Sequence, residues 1–194
     1  MRQLLLATRN AHKTREFADI LGDDFVVHDL SEMPGALVAE ETGETFAENA
    51  ILKALAISKQ FPDLVVADDS GLEVDALGGA PGVYSARYAG PDASDEKNIA
   101  RLLEELHRRP QMKPFRARFR CVLALAREGR VLNTVEGVAE GTIVDPRGLS
   151  GFGYDPVFQP IGSEQTFAEL PPAAKNRISH RANAIRLLRA ALLQ

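Results

Sequence analysis

The sequence predicts an α/β fold built on a mixed β-sheet flanked by helices. Its first half alternates short apolar runs with segments of helical periodicity, and its second half carries two long strand-like runs meeting at Glu128-Gly129-Arg130. Alternation favours parallel pairing and a hairpin adds antiparallel pairing, so the sheet is expected to be mixed. No repeat, low-complexity tract or linker divides the chain, and 194 residues suit one domain over 1–194, of one or two lobes.

The elements follow in order. Leu4 to Ala7 is an unbroken apolar run that ends in Thr8-Arg9-Asn10, a strand leading into a helix over Lys13 to Leu21, where Phe17, Ile20 and Leu21 share a face. Gly22-Asp23-Asp24 stops that helix before a second strand at Phe25 to His28. From Glu44 to Gln60, apolar residues at spacings of three and four predict a second helix. Leu64 to Ala67 is a buried strand that delivers Asp68-Asp69-Ser70-Gly71 to its carboxyl end. Gly78 to Gly82 is irregular, with three glycines and a proline. A third helix runs from Asp95 to Arg108 with Ser94 as its cap and acids in its first turn. Strands at Arg116 to Ala126 and Val131 to Ile143, a glycine-rich loop at Gly148 to Gly153 and a last helix from Ser179 to Leu192 complete about five strands and four helices.

Composition narrows the function. The chain is 45% hydrophobic and 26% charged, enough to build a core. With 23 Lys and Arg against 27 Asp and Glu, the net charge of −4 argues against a general nucleic-acid binder, so an anionic ligand must meet a local cluster of cations. The single cysteine, Cys121, excludes a disulfide framework and a cysteine metal cage, and its apolar setting favours a buried role over a reactive thiol. Only four apolar residues follow Met-Arg-Gln and no run approaches the roughly 18 that a membrane span needs, so a cytoplasmic protein without membrane association is expected.

Phosphate-loop, zinc-helix and nucleophile-elbow patterns are absent, leaving four polar clusters at the ends of apolar runs. At Thr8-Arg9-Asn10-Ala11-His12-Lys13 a helix begins, and its N–H groups and Lys13 suit a phosphate; alternatively, Thr8 and Asn10 merely cap the helix and Lys13 is solvated. Asp68 and Asp69 are costly neighbours unless a cation or proton intervenes, and Mg²⁺ commonly takes one or two carboxylates plus phosphate oxygens. Glu40 and Glu41 are further carboxylates for that ion, or else a solvated acidic loop; Asp68 and Asp69 in an exposed turn are the competing reading. Phe152-Gly153-Tyr154-Asp155 offers two rings for stacking on a nucleobase and a carboxylate for a base N–H, or a hydrophobic plug. Lys175 and Ser179-His180-Arg181 supply donors at the last helix, or simply cap it. Together the clusters fit a nucleoside polyphosphate.

These residues resemble the inosine triphosphate pyrophosphatase family nearly end to end. The resemblance is carried by T-R-N-A-H-K-T-R-E (Thr8 to Glu16), E-T-G-E-T-F-A-E-N-A-I-L-K-A (Glu41 to Ala54), A-D-D-S-G-L-E-V-D-A-L-G-G-A-P-G-V-Y-S-A-R-Y (Ala67 to Tyr88), G-F-G-Y-D-P-V-F (Gly151 to Phe158) and S-H-R (Ser179 to Arg181). Arg9 stands where the family often has glycine. The resemblance implies an elongated, two-lobed fold with a nucleotide cleft between the lobes, and a homodimer. It also implies hydrolysis of ITP, dITP and XTP to monophosphate and pyrophosphate by attack at the α-phosphorus, which removes them from the pool before incorporation into DNA or RNA. By motif position, Asp69 is the implied general base and a Mg²⁺ ligand, with Glu41 and Glu40 assisting the metal and Asp68 supporting the site. Thr8, Asn10, Lys13 and Lys53 are implied for the triphosphate, along with their neighbours Arg9, Ala11 and His12. Phe152, Gly153, Tyr154, Asp155, Lys175, His180 and Arg181 are implied for base and sugar, and Ser70 lies in the substrate site. The rivals are a pyrophosphatase for modified pyrimidine or methylated nucleotides, and a nucleic-acid module using Lys113, Arg116, Arg118 and Arg120.

Overall fold

Apolar runs become strands and capped periodic segments become helices over residues 2–192, the part of the chain that the computed structural model describes. In order these are β1 (Arg2–Leu6), α1 (Ala11–Leu21), β2 (Phe25–Asp29), α2 (Phe46–Ser58), β3 (Val65–Val74), α3 (Asp95–His107), β4 (Phe115–Arg127), β5 (Arg130–Ile143), β6 (Phe158–Pro160), α4 (Pro172–Ile178) and α5 (His180–Leu192). The six strands form one sheet in the order β2-β1-β3-β4-β5-β6. β1 runs parallel to β2 and β3, whereas β5 and β6 are antiparallel, so the sheet is mixed and the fold is α/β.

Local chemistry sets the element boundaries. Asn10 caps α1 by accepting from the His12 and Lys13 N–H groups, and Gly22 (φ 70°) returns its own N–H to the Ala18 carbonyl to end it. α2 opens with a capping box between Thr45 and Glu48, and Ser94 caps α3 ahead of Asp95 and Glu96. Glu128 (φ 50°) and Gly129 (φ 72°) both take the left-handed region that a two-residue type I′ hairpin requires. The connection is therefore one residue shorter than expected, and Arg130 already belongs to β5.

Three elements differ from expectation. β3 does not end at Ala67 but continues to Val74, so Asp68 and Asp69 lie within the strand and not at its carboxyl end. Polar residues masked that continuation because apolar patterning alone signals a strand. β6 is only three residues long, and α4 is a seven-residue helix that follows Pro171-Pro172; both are too brief to leave a periodic signature. Ser179, in extended conformation (φ −70°, ψ 155°), separates α4 from α5.

The chain forms two compact units, with β3, β4 and β5 each contributing residues to both. The first comprises the chain as far as Asp69, Cys121–Gly137 and the segment from Arg181. Its core joins Leu4 and Leu6 of β1, Phe17 and Leu21 of α1, Val66, Cys121, Leu123 and Leu125 of β3 and β4, and Ile185 and Leu188 of α5. The second comprises Ser70–Arg120 and Val138–His180. Leu102 and Leu106 of α3 pack there with Phe115, Phe119, Phe158 and Phe167. Each fully buried leucine or phenylalanine contributes about 1.5–3 kcal/mol relative to exposure. Among the described residues no helix is long and apolar enough to cross a membrane.

Candidate active site

The first unit gathers charge around β3. Successive strand residues face opposite sides, so the two neighbouring carboxylates meet different partners. The Asp68 carboxylate is fully buried and accepts from Arg181 Nε at 2.7 Å, from the Lys13 ammonium and from Cys121 Sγ at 3.3 Å. Burial pushes its pKa up, but Arg181 and then Lys13 outweigh that and hold it well below the usual carboxylate range. Arg181, with a side chain 1% exposed, also pairs with Glu16. Burial likewise pushes the Cys121 thiol well up, which keeps it protonated and unreactive.

Asp69 faces Lys53 of α2. Lys53 Nζ donates to Asp69 Oδ1 at 2.6 Å, Glu41 Oε1 at 2.9 Å and the Asp68 carbonyl at 2.9 Å. Burial raises the pKa of Asp69 and Glu41 adds to the rise, while Lys53 opposes it; the net direction is upward. Lys53 itself is raised, because Asp69 and Glu41 overcome the effect of burial. Glu41 thus joins this group, whereas Glu40 is exposed. Asn49, one turn before Lys53 and 0% exposed, accepts the Gly43 N–H at 2.8 Å and ties the Glu41 loop to α2.

Around the start of α1, the capping reading holds. Thr8 Oγ1 accepts the Asn10 N–H, and Asn10 Oδ1 accepts those of His12 and Lys13, so capping is present. Lys13 is nevertheless not a solvated charge, because its Asp68 partner is buried and its own side chain is 17% exposed. Arg9 donates to the Ala36 carbonyl at 3.3 Å, and Ala11 and His12 are exposed.

The second unit holds the loop from Phe152 to Asp155. Asp155, expected as an exposed acceptor, is 2% exposed and takes the Phe152 N–H at 2.9 Å and Lys175 Nζ at 2.6 Å. Burying an unpaired carboxylate in this loop would be costly, so the lysine accompanies it. Gly151 (φ 80°) permits the approach, since a Cβ there would lie 2.1 Å from Asp155 Oδ2. Lys175 Nζ also sits 4.9 Å from the centre of the half-buried Phe152 ring. Tyr154 is buried with its hydroxyl donating to the Ser85 carbonyl at 2.8 Å, a structural plug and not an open platform. Gly153 N donates to Asp95 Oδ2 at 2.6 Å. His180, 4% exposed, stacks on Phe119 at 4.7 Å and 11°, and Ser70 is half-buried in β3.

Sequence reasoning assigned no part to Glu16, Asn49 or Asp95. Glu16 lies one turn from Lys13 and Asn49 one turn from Lys53, so helical spacing was the available signal. Two of the three arginines considered for nucleic acid are engaged in ion pairs: Arg118 with Glu140, Asp75 and Glu73, and Arg120 with Glu73. A separate cavity of about 500 Å³, lined by Leu103, Leu106, Phe115 and Ile143 with His107 and Lys113 among its polar residues, contains none of the motif residues.

A dITP/XTP pyrophosphatase of Geobacillus kaustophilus is 53% identical over 187 residues, covering 95% of this chain and 91% of that protein. One from Bacillus licheniformis is 49% identical over the whole of both chains. A solved HAM1 protein structure from Coxiella burnetii superposes with a TM-score of 0.89 at 42% identity, covering 100% of this chain and 99% of that one. The family model described as the Ham1 family matches residues 4–191, and the chain belongs to that family.

Proposed function

We propose that the protein is a nucleoside triphosphate pyrophosphohydrolase acting on non-standard purine nucleotides of the dITP and XTP type, yielding monophosphate and pyrophosphate. The observation that carries this reading is the Glu41–Lys53–Asp69 group, in which two carboxylate oxygens converge on one cation position. The near relatives bear the same activity in their names.

Mg²⁺ is the proposed cofactor, with Glu41 and Asp69 as its ligands. The donor set fits, because this ion takes one or two carboxylates and completes its octahedron with water and phosphate oxygens. When bound, it would neutralise the triphosphate and the charge that grows on departing pyrophosphate. Asp69 is assigned as the base that would accept a proton from the attacking water. Thr8, Asn10, Lys13 and Lys53 are assigned to the triphosphate, and Arg9, Ala11, His12 and Ser70 to its surroundings. Asp68 supports them by anchoring Lys13.

The base and sugar are assigned to Phe152 and Gly153, with the buried Tyr154, Asp155, Lys175, His180 and Arg181 as the residues that support them. Phe152, half-buried beside the Lys175 cation, is the stacking candidate. Donors aimed at the purine 6-keto oxygen would reject adenine, whose amino group leaves them unpaired. The whole chain is proposed to act as one catalytic domain in a cytoplasmic homodimer. A panel of nucleoside triphosphates assayed with and without Mg²⁺ tests the reading: monophosphate and pyrophosphate from ITP, dITP and XTP, with little from ATP, is expected. Release of orthophosphate, or equal turnover of pyrimidine nucleotides, would replace it.

A further inference from the structure

The Lys53 ammonium has already spent its charge and its hydrogen bonds. An ammonium offers three N–H donors and no acceptor. Nζ meets three protein oxygens: Asp69 Oδ1, Glu41 Oε1 and the Asp68 carbonyl, all within 2.9 Å, on a side chain 8% exposed. No donor remains for a phosphate while this arrangement lasts. The ammonium also engages the same two carboxylates that would hold a divalent ion. A divalent ion held by the same two carboxylates would stand within a few Å of the ammonium, and two cations that close repel strongly where water is scarce.

We infer that Lys53 is the resident counter-ion of the Glu41–Asp69 pair, and that a divalent cation must displace it to bind. This rests on the metal assignment made above. The surrounding geometry gives the exchange a fixed frame, because the Asn49 link to Gly43 holds the Glu41 loop against the helix that carries Lys53. Displacement strips a buried ammonium of two charged partners, so the nucleotide-free protein binds metal weakly. An arriving triphosphate offers the released ammonium new acceptors. Metal and nucleotide therefore bind cooperatively, and each tightens the other by the same factor. Lys53 thereby holds the carboxylates in place before the metal arrives and contacts the triphosphate afterwards.

The test is Mn²⁺ binding followed by electron paramagnetic resonance on the parent protein, Lys53→Met, Lys53→Gln and Asp69→Asn, with and without a non-hydrolysable α,β-imido inosine triphosphate. Thermal melts with and without Mn²⁺ run in parallel. In the absence of nucleotide, Lys53→Met should bind Mn²⁺ at least tenfold more tightly than the parent and gain more in Tm on adding it. The analogue should tighten Mn²⁺ binding markedly in the parent and much less in the variant. If Lys53→Met fails to fold, Lys53→Gln, which keeps hydrogen bonding without charge, must show the same direction. Unchanged or weaker Mn²⁺ binding in the folded Lys53 variants, with binding abolished by Asp69→Asn, overturns the counter-ion role and leaves the metal assignment intact. Parent-like Mn²⁺ binding by Asp69→Asn overturns both.

Discussion

Asp68 and Asp69 are adjacent in β3 yet belong to separate ionic groups: Arg181 and Lys13 neutralise the first, and Lys53 neutralises the second. The strand's two-residue period turns a repulsive pair into two compensated sites. One is locked in a buried network, and the other keeps a raised pKa beside the Lys53 ammonium.

Asp69→Asn should fold normally, judged by circular dichroism, and lose at least about a hundredfold in ITP turnover with Mg²⁺, the low end of what a general base contributes. Activity within threefold of the parent would remove Asp69 from the chemistry.

The two acids of the preceding loop should separate cleanly. Glu41→Gln is expected to raise the Mg²⁺ concentration for half-maximal activity about tenfold or more, because Glu41 reaches Lys53 and Asp69's side of the strand. Glu40→Gln, at an exposed position, should stay within about twofold. A Mg²⁺ titration of each variant decides.

Arg181→Met should cost about 3–5 kcal/mol in urea unfolding, since it takes a charged partner from both the buried Asp68 carboxylate and Glu16. A loss below about 1 kcal/mol would show that Lys13 alone compensates Asp68.

Asp68 also sets a pH dependence. Its folded pKa lies below its unfolded one, so its contribution to stability is complete above the unfolded value near 3.9 and is lost as pH falls through the folded value. Urea midpoints of the parent should therefore fall as the pH drops below about 5, and Asp68→Asn should show a shallower fall. Parallel curves would mean that other carboxylates govern acid unfolding.

Gly151→Ala places a methyl against Asp155 Oδ2 and strains a positive φ. It should cost about 1–3 kcal/mol and relax the preference for ITP over ATP by disturbing the Asp155–Lys175 pair. Full discrimination in a folded variant would detach that pair from base recognition.

Most helices and the long strands were legible because their signals are local: caps at Asn10 and Ser94, apolar period along α1 and α2, and the turn at Glu128-Gly129-Arg130. The motifs also named the charged residues. What they could not convey was pairing. That Arg181 lies on Asp68, across 113 positions, or that Asp155 is buried on Lys175, depends on burial, which makes an unpaired charge too costly and so selects its partner. Composition and motif order were enough to establish an α/β chain with the residues of a nucleotide-hydrolysing family. Which carboxylate pairs with Arg181 and Lys13 and which with Lys53 emerged from folding, because desolvation and ion pairing act between neighbours in space and leave no trace along the chain.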